Sequence, residues 1–291
     1  MSVPRIEGED RISTLSDDLL LRILSFLPTK DAVATMFLSK RWQFIWTMVP
    51  KLEYSEINTI GRLFERSRSQ SIWPFLDSSL QLHKAHVLEV LIIELSRQCP
   101  VEVDVGKCIA NAVDRKVRVL ELELKWSAEP TSLPTSLYIC NTLVYMSLSD
   151  KIFVDVPSLV CFPSLKYLYL FRVVFKDDDS LARLLSNCPI LKLLYVDRLD
   201  QDNVRNFSIK VPSLKTLWYN YLPAHILEGS LVIDTPNVKK MFISDNSGNS
   251  CSIENNPRFD EAGINFFCNP DDKFMRSLSS AMNLEIILTQ E

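Results

Sequence analysis

The chain has little glycine, with six such residues among 291. Loops that wrap around phosphate groups need several glycines close together, so neither a phosphate loop nor a dinucleotide fingerprint is expected. Histidine is scarcer still: His83 and His86 form an H-x-x-H pair without an acidic or cysteine partner at ligand spacing, and His225 is isolated. The sequence therefore predicts no metal site, no cofactor and no catalytic residue, and nothing local supports a Cys and His pair.

Other absences disfavour several broad classes of protein. A formal charge of −4 lacks the basic excess of a nucleic-acid-binding protein. No apolar run is long enough to cross a membrane, and the N-terminus lacks the apolar stretch of a signal peptide. Seven cysteines without a C-x-x-C pair favour reduced, largely buried thiols. We therefore expect an intracellular protein, nuclear, cytoplasmic or both, that binds neither nucleic acid nor membrane.

What the chain has in excess is apolar surface near its N-terminus. A helix that starts near Asp17 aligns four apolar residues on one stripe, namely Leu20, Ile23, Leu24 and Leu27. Three more widen the apolar surface beyond that stripe, namely Leu19, Leu21 and Phe26. A domain of about forty residues in three short helices cannot cover a helix that is apolar on two sides. The surplus predicts a docking surface for another protein.

The N-terminal pattern also resembles a known motif. Residues 10–54 contain DRISTLSDDLLLRILSFLPTKDAVAT, then LSKRW and a second tryptophan, and resemble the F-box of plant F-box proteins. The resemblance implies a substrate-recruiting subunit of an SCF-type ubiquitin ligase, whose F-box binds a Skp-type adaptor and through it the cullin and RING subunits. The adaptor-facing residues that it implies are Leu15, Leu20, Ile23, Leu24, Leu27, Pro28, Val33, Leu38, Ser39, Trp42 and Trp46. The alternative is an ordinary helical hairpin packed on its own domain.

One position departs from the F-box pattern. Ser16 stands where the family usually has proline, whose fixed φ suits the start of a helix. We expect the Ser16 side chain to cap the helix, while Asp17 and Asp18 favour its positive N-terminal end. Adaptor binding should survive this change.

Beyond Tyr54 the sequence repeats. An apolar pattern, φ-x-x-φ-x-φ, can be aligned nine times, and the last copy is Leu284, Ile287 and Thr289. The first positions of the copies are Leu88, Val117, Leu143, Leu165, Leu191, Leu214, Val238, Phe259 and Leu284. Their spacing of 21 to 29 residues is typical of leucine-rich repeats. Five prolines each precede a first position by two residues and predict where strands begin: Pro163, Pro189, Pro212, Pro236 and Pro257.

Segments between the apolar copies predict short helices on the opposite side of the sheet. Residues 179–187 read DSLARLLSN and are followed by Cys188 and Pro189 as a stop. The three acids at 177–179 could suggest a metal site, but a helix cap explains them without further ligands. The predicted fold class is therefore α/β, with a small three-helix F-box followed by an irregular leucine-rich-repeat solenoid. Its parallel strands should line the concave side of a horseshoe.

Residues that alternate outward from these strands should face a partner, because neighbouring side chains of a strand point to opposite faces. Four consecutive strands place an aromatic residue at the central outward position. The predicted target-binding residues are Tyr167, Tyr169, Phe171, Tyr195, Trp218 and Phe242. Adjacent strands lie about 4.8 Å apart, so the rings should form a continuous ridge. The simpler alternative is that the rings only cover one another or lie under a loop.

The repeat region resembles the plant F-box/leucine-rich-repeat proteins that often carry an FBD domain. The segments that carry this resemblance are VDVG, EPTSLP, VPSL with FPSLK, DDSL with RLLS, and EGSLVIDTP. The FBD domain itself is expected to be missing. The predicted organisation is a flexible N-terminus at 1–9, the F-box at 10–54, a helical linker or cap at 55–86, and repeats at 87–291.

The resemblance implies a non-catalytic substrate adaptor whose repeats hold a target protein. The alternative is a repeat scaffold or decoy that occupies the Skp-type adaptor, or a partner, without presenting anything for ubiquitylation. An enzyme in its own right would need a pocket that gathers His83, His86 or His225 with a cysteine or an acid.

Overall fold

The computed structural model describes residues 12, 14–56, 71–97, 99–100, 103–125, 129–224, 229–255, 258–266 and 272–288. The predicted flexible segment 1–9 and the isolated His225 lie outside these ranges. Within them, no helix is long and apolar enough to cross a membrane.

Short helices form the N-terminal region, as the apolar pattern predicts. They are α1 Asp17–Leu24, α2 Thr29–Ala34 and α3 Trp42–Ile45, with 3₁₀ turns at Thr35–Phe37 and Trp46–Met48. Leu20 and Leu24 share one face of α1 because they are four residues apart, and that face enters a small core with Trp42 and Trp46. A helix start near Asp17 is confirmed.

Sixteen strands follow within the described ranges, and ten of them form one parallel sheet. In chain order the strands are β1 Lys51–Ser55, β2 Val90–Leu95, β3 Val119–Leu124, β4 Thr131–Ser132, β5 Tyr145–Asp150, β6 Ile152–Val154, β7 Tyr167–Phe171, β8 Val174–Phe175, β9 Leu193–Asp197, β10 Asn206–Lys210, β11 Thr216–Tyr221, β12 Ser230–Asp234, β13 Lys240–Asp245, β14 Ser250–Ile253, β15 Glu261–Phe266 and β16 Asn283–Leu288. The large sheet runs β1, β2, β3, β5, β7, β9, β11, β13, β15, β16. The predicted α/β fold with a parallel repeat sheet is confirmed.

One face of the large sheet is buried and the other is open. In β2 the side chains of Leu91 and Ile93 are fully buried, while their neighbours Ile92 and Glu94 are partly exposed. The same alternation recurs in β3, where Leu120 is buried beside Glu121. Each apolar stripe therefore meets the stripes of adjacent strands in one continuous core.

The repeat begins earlier than the sequence alignment predicts. Val49, Leu52 and Tyr54 follow the same φ-x-x-φ-x-φ pattern, and Leu52 pairs with Leu91 of β2 in register. The predicted boundary after residue 54 therefore falls inside β1. Val49 and Leu88 are 39 residues apart, which is outside the usual range for these repeats. The sequence alignment misses this copy for that reason.

The predicted register of the last copy is wrong by three residues. Leu284 pairs with Ala262 and Ile286 pairs with Ile264, so both occupy the second and third apolar positions of the pattern. Ala281, partly buried against the core, is then the first position. Ile287 points to the open face instead, and the predicted third member, Thr289, lies outside the described residues. Pairing with β15 decides the register, which the short apolar sequence leaves ambiguous.

Four of the five predicted prolines lie in turns and not at the starts of strands, and the fifth, Pro257, lies outside the described residues. Pro163, Pro189, Pro212 and Pro236 each stand four residues before a strand of the large sheet. Each follows a residue whose carbonyl accepts a hydrogen bond from the backbone N–H three positions later, as from Leu165 to Phe162 at 3.3 Å. Proline suits the second position of such a β-turn because its φ is fixed and that position donates no hydrogen bond.

The side opposite the large sheet is only partly helical. Its helices are α4 Trp73–Leu82, α5 Val105–Asp114, α6 Asp178–Ser186 and α7 Asp272–Leu278. The other connections hold a 3₁₀ turn at Thr135–Ile139 and extended segments that form two three-stranded sheets, β4 with β6 and β8, and β10 with β12 and β14. The prediction of short helices is right for α6, whose first turn is capped by Asp177 accepting from Ser180 N at 2.7 Å.

A buried ion pair closes the loop after β9. Arg198 and Asp202 have side chains only 3% exposed and form two hydrogen bonds, of 2.6 and 2.9 Å. The guanidinium also donates to the Tyr219 hydroxyl at 3.0 Å and lies over the rings of Phe207 and Tyr221. Burial alone would lower the pKa of Arg198, but the hydrogen bonds and the charge of Asp202 raise it above its ordinary value. The pair ties this loop to β11 in its charged form.

A second polar cluster joins the helices near the N-terminus to the repeats. His83 is buried, and its Nε2 donates to the carbonyl of Val49 at 2.8 Å. Its Nδ1 must then lack a proton, and it accepts from Arg115 Nη2 at 2.5 Å. Arg115 also donates through Nε to the carbonyl of Ala85 at 2.9 Å. The neutral ring thus links the end of the N-terminal helices to α5.

We expect Asp202→Asn to destabilise the repeats by about 3 kcal/mol, because it leaves the Arg198 charge buried without its counter-charge. The free energy of unfolding in urea, followed by circular dichroism, measures this. Glu261→Gln is the matched control, since its partner Lys240 has a side chain 55% exposed. That exposed pair should contribute less than about 1 kcal/mol. Equal losses of unfolding free energy in the two variants would contradict the expectation that the buried pair contributes more than the exposed one.

His83 should make stability depend on pH. Burial, with the nearby charge of Arg115, lowers the pKa of His83 to about 4 from an ordinary 6.5. Above pH 6.5 the ring is neutral in both folded and unfolded chains, so stability is unaffected there. As the pH falls from 6.5 to about 4, only the unfolded chain binds the proton, and stability declines by on the order of 3 kcal/mol.

Urea unfolding at several pH values between 7 and 4 checks this expectation. In His83→Gln, the slope of the unfolding free energy against pH should decrease by the equivalent of about one bound proton. His86→Gln is the control, because His86 is exposed and three residues away. An unchanged slope in His83→Gln would show that the buried ring is not the titrating group.

Candidate functional site

The eleven predicted adaptor-facing residues do not share one surface. Leu20, Leu24, Trp42 and Trp46 form the small N-terminal core with exposed fractions of 0 to 6%. Leu15, Leu27 and Val33 are partly buried against that core. The exposed members are Ile23, Pro28, Leu38 and Ser39. The four core residues therefore have no surface to offer a partner in this conformation, because the small domain needs them to hold its helices together.

A second apolar stripe of α1 is the one left open. Leu19 and Ile23 are 48% and 44% exposed, and Phe26, just beyond the helix, is 78% exposed. These three residues are spaced i, i+4 and i+7, so they lie along one side of the helix. Other exposed apolar side chains of this region are Ile12, Phe37, Leu38, Phe44 and Met48. We use the name N-terminal apolar surface for these exposed side chains together, namely Ile12, Leu19, Ile23, Phe26, Phe37, Leu38, Phe44 and Met48.

Ser16 does not cap α1 with its side chain, contrary to the prediction. It occupies the N-cap position with an extended backbone, but its hydroxyl makes no capping hydrogen bond. Arg41 fastens the helix start instead, donating through Nη2 to the carbonyl of Leu15 at 2.6 Å and pairing with Asp17. The pair is largely exposed, so it orients the helices more than it stabilises them.

The predicted aromatic residues are brought together on the open face. Tyr169, Tyr195, Trp218 and Phe242 occupy one row of paired strand positions across β7, β9, β11 and β13. Their successive ring centroids are 6.1, 6.3 and 3.9 Å apart, and all three pairs are stacked. Trp218 is 41% exposed and the other three rings are partly exposed, so the row is open to solvent and is not buried under the described loops. We call these four residues the aromatic row.

Three further rings widen the aromatic row. Phe171 lies 4.8 Å from Tyr195, and Tyr167 is 38% exposed at the edge. Tyr145 of β5, which the sequence reading missed, lies 5.2 Å from Tyr169. Its position two residues before Ser147, on the same face of the strand, was the available signal.

The two ends of the aromatic row differ in chemistry. Toward β3 a pocket of about 260 Å³ is lined by several carboxylates, Glu94, Glu121 and Glu123 among them, and by Arg172, which pairs with Asp150 at 2.6 Å. Burial and the neighbouring acids raise the pKa of Glu121. Toward β16 a pocket of about 320 Å³ is lined by Trp218, Phe242, Gly263 and Glu285 among others. The open face therefore presents aromatic rings between one end with several carboxylates and one end with a single carboxylate, Glu285.

Among the residues that the structure describes, those that could suggest catalysis or metal binding do not come together. Both ring nitrogens of His83 already form hydrogen bonds, one to the carbonyl of Val49 and one with Arg115. The side chain of His86 is exposed. Within the described ranges, no group of three His, Cys, Asp or Glu side chains could hold a metal ion. Asp177 serves as the cap of α6, which is the simpler of the two explanations for the acids at 177–179.

Comparison with known proteins gives consistent matches along the chain. A family model for an F-box domain matches residues 12–54. Another, described as FBD-associated F-box protein At5g56370, LRR repeats, matches residues 105–259. The matched ranges correspond to the N-terminal helices with β1 and to the repeats from α5 to Phe259.

Curated proteins of Arabidopsis thaliana are similar over nearly all of the chain. The putative FBD-associated F-box protein At1g05080 is 48% identical, over 99% of this chain and 66% of that protein. The putative F-box/FBD/LRR-repeat protein At1g22000 is 45% identical, over 99% of this chain and 65% of that protein. The putative F-box/LRR-repeat protein At4g15060 is 39% identical, over 96% and 68% respectively. The chain thus spans about two thirds of the length of these relatives.

Proposed function

The chain belongs to the F-box/FBD/LRR-repeat family, and we propose that it recruits target proteins to an SCF-type ubiquitin ligase. Its F-box binds a Skp-type adaptor, and through it the cullin and RING subunits. The observation that carries this proposal is the N-terminal apolar surface, which remains exposed although the small domain has its own core. Apolar surface of this kind in a folded domain usually marks a protein interface.

Within that surface, the stripe of Leu19, Ile23 and Phe26 is the principal adaptor contact. Ile23, Leu38, Pro28 and Ser39 keep the direct role that the resemblance implies, because they are exposed. Leu20, Leu24, Trp42 and Trp46 act indirectly, by holding α1 and α3 in the arrangement that presents the stripe. Leu19 and Phe26 of the stripe, and Phe37 beside it, are contacts that the resemblance does not imply, and Phe37 is 85% exposed.

The repeats hold the target on the aromatic row. Aromatic side chains contribute most to binding when they are pre-ordered, and these rings are already stacked on one another. The link from Val49 through His83 to Arg115 fixes the F-box against the repeats, so adaptor and target are held at a set separation. The contribution to ubiquitin transfer is proximity.

The chain itself supplies no reacting group in this proposal. Burial raises the pKa of the Cys108 and Cys188 thiols to about 12, so both stay protonated and are poor nucleophiles at neutral pH. Acceptor lysines of the target and the thioester of the conjugating enzyme provide the chemistry. A scaffold or decoy that only occupies the adaptor remains the alternative.

We expect Phe26→Asp to weaken binding to a Skp-type adaptor at least thirtyfold, because a charge would be desolvated in the interface. Isothermal titration of the purified chain with the adaptor measures the dissociation constant. Leu159→Asp is the matched control: Leu159 is 80% exposed in the repeats, and the substitution should leave the affinity unchanged. Circular dichroism verifies that both variants are folded.

The choice of residue matters for this test. Leu20→Asp would place a charge in the N-terminal core and unfold it, so loss of binding there would be uninformative. Tight 1:1 binding by the wild-type chain, lost in Phe26→Asp and kept in Leu159→Asp, supports the adaptor role. A folded wild-type chain that does not bind the adaptor would overturn the proposal and leave a protein-binding scaffold as the better description.

A further inference from the structure

The aromatic row ends at a glycine. Gly263 of β15 pairs with Phe242 on one side and with Glu285 of β16 on the other. A Cβ on Gly263 would lie 2.9 Å from Cδ1 of Phe242, closer than a side chain can be tolerated. The ring of Phe242 therefore leans over Gly263 and occupies the space where a side chain would stand, and the gap that stays open lies beyond the ring, toward β16.

That gap is walled by an aromatic face and a carboxylate. One face of Phe242 stacks on Trp218 at 3.9 Å, so its other face turns toward β15 and β16. Glu285 stands directly across Gly263, two strand spacings or about 9.6 Å of backbone from Phe242. Glu285 is exposed, and no ion pair or hydrogen bond of its side chain is formed among the described residues. The gap opens into the pocket of about 320 Å³ at this end of the row.

We infer that this pocket binds an arginine side chain of the target protein, an inference that rests on the proposed function. We call it the arginine slot, formed by Trp218, Phe242, Gly263 and Glu285. A guanidinium stacks flat on an aromatic ring and donates hydrogen bonds from its edge to a carboxylate, so it uses both walls of the slot at once. The polar residues at the rim, Asn220 and Ser244, supply oxygen atoms that can accept its remaining hydrogens.

The charges of the open face favour a basic occupant over other classes. Glu94, Glu121 and Glu123 line the pocket at the other end of the row, and the cation that lines it with them, Arg172, is paired with Asp150 at 2.6 Å. Carboxylates therefore stand at both ends of the row. Of the nearby cations, Lys240 is already paired with Glu261 at 3.0 Å. An acidic or phosphorylated segment would be repelled, and a purely apolar one would leave Glu285 desolvated without a partner. Lysine fits less well, because its compact ammonium cannot stack as a plane.

A peptide array tests the slot with the full chain bound to its Skp-type adaptor. The probes are heptapeptides with randomised flanks whose central residue is arginine, lysine or citrulline. Citrulline has nearly the shape of arginine without its charge. We expect the arginine set to retain at least about fivefold more protein than the citrulline set, and more than the lysine set.

Two variants locate the effect. Glu285→Gln should abolish the preference for arginine over citrulline, and Gly263→Ala should weaken arginine binding severalfold by pushing the Phe242 ring aside. Glu121→Gln is the matched control on the same row of the sheet, and it should keep the preference for arginine. All variants should bind the adaptor as the wild-type chain does.

The outcomes separate the slot from the proposed function. A chain that binds the adaptor but retains the three probe sets equally, or retains none, overturns the arginine slot and leaves the adaptor role intact. An equal loss of preference in Glu121→Gln and Glu285→Gln also overturns it, because general acidity would then explain the binding. A chain that fails to bind the adaptor contradicts the proposed function itself.

Discussion

No strand of the large sheet buries its apolar side chains without the strands beside it. Each contributes a narrow stripe, such as Leu168 and Leu170 of β7, which becomes fully buried only between the stripes of its neighbours. Backbone hydrogen bonds pass from unit to unit in the same way, as from Lys192 N to the carbonyl of Lys166 at 2.9 Å. The fold therefore depends on stacking, and every other feature must be compatible with it.

This dependence reaches into the F-box. β1 follows the last 3₁₀ turn of the small domain by two residues and is the first strand of the sheet. Glu53 N donates to the Thr29 hydroxyl at 2.7 Å, and the carbonyl of Thr47 accepts from Lys84 N at 2.7 Å. The two parts of the chain are thus joined by a strand and by hydrogen bonds on both sides of it. A joint of this kind suits a protein whose proposed role is to hold two partners at a fixed separation.

Stacking also creates the open face. Because parallel strands pair residue by residue, the same outward position recurs at each step, and similar side chains at that position meet. Four aromatic residues stack in this way, and one glycine ends the stack. Buried polar groups lie in loops and joints, where Arg198 finds Asp202 and His83 finds Arg115. The buried face of the sheet is otherwise mostly apolar, and its polar groups lie at strand positions that meet such loops and helices, as Tyr219 meets Arg198 and Tyr54 meets Ser79.

The sequence determined the repeat, its alternation and the membership of the aromatic row, because a period of two along each strand is a local property. It also determined that α1 is apolar on two sides. Only the tertiary structure decided that Leu20 and Leu24 are buried while Leu19 and Phe26 stay exposed, since the answer depends on where Trp42 and Trp46 pack. The copy at β1, the register of β16 and the gap at Gly263 were likewise decided by pairing with strands distant in sequence. A local pattern fixes which residues share a face, but contacts between distant segments fix which face is covered.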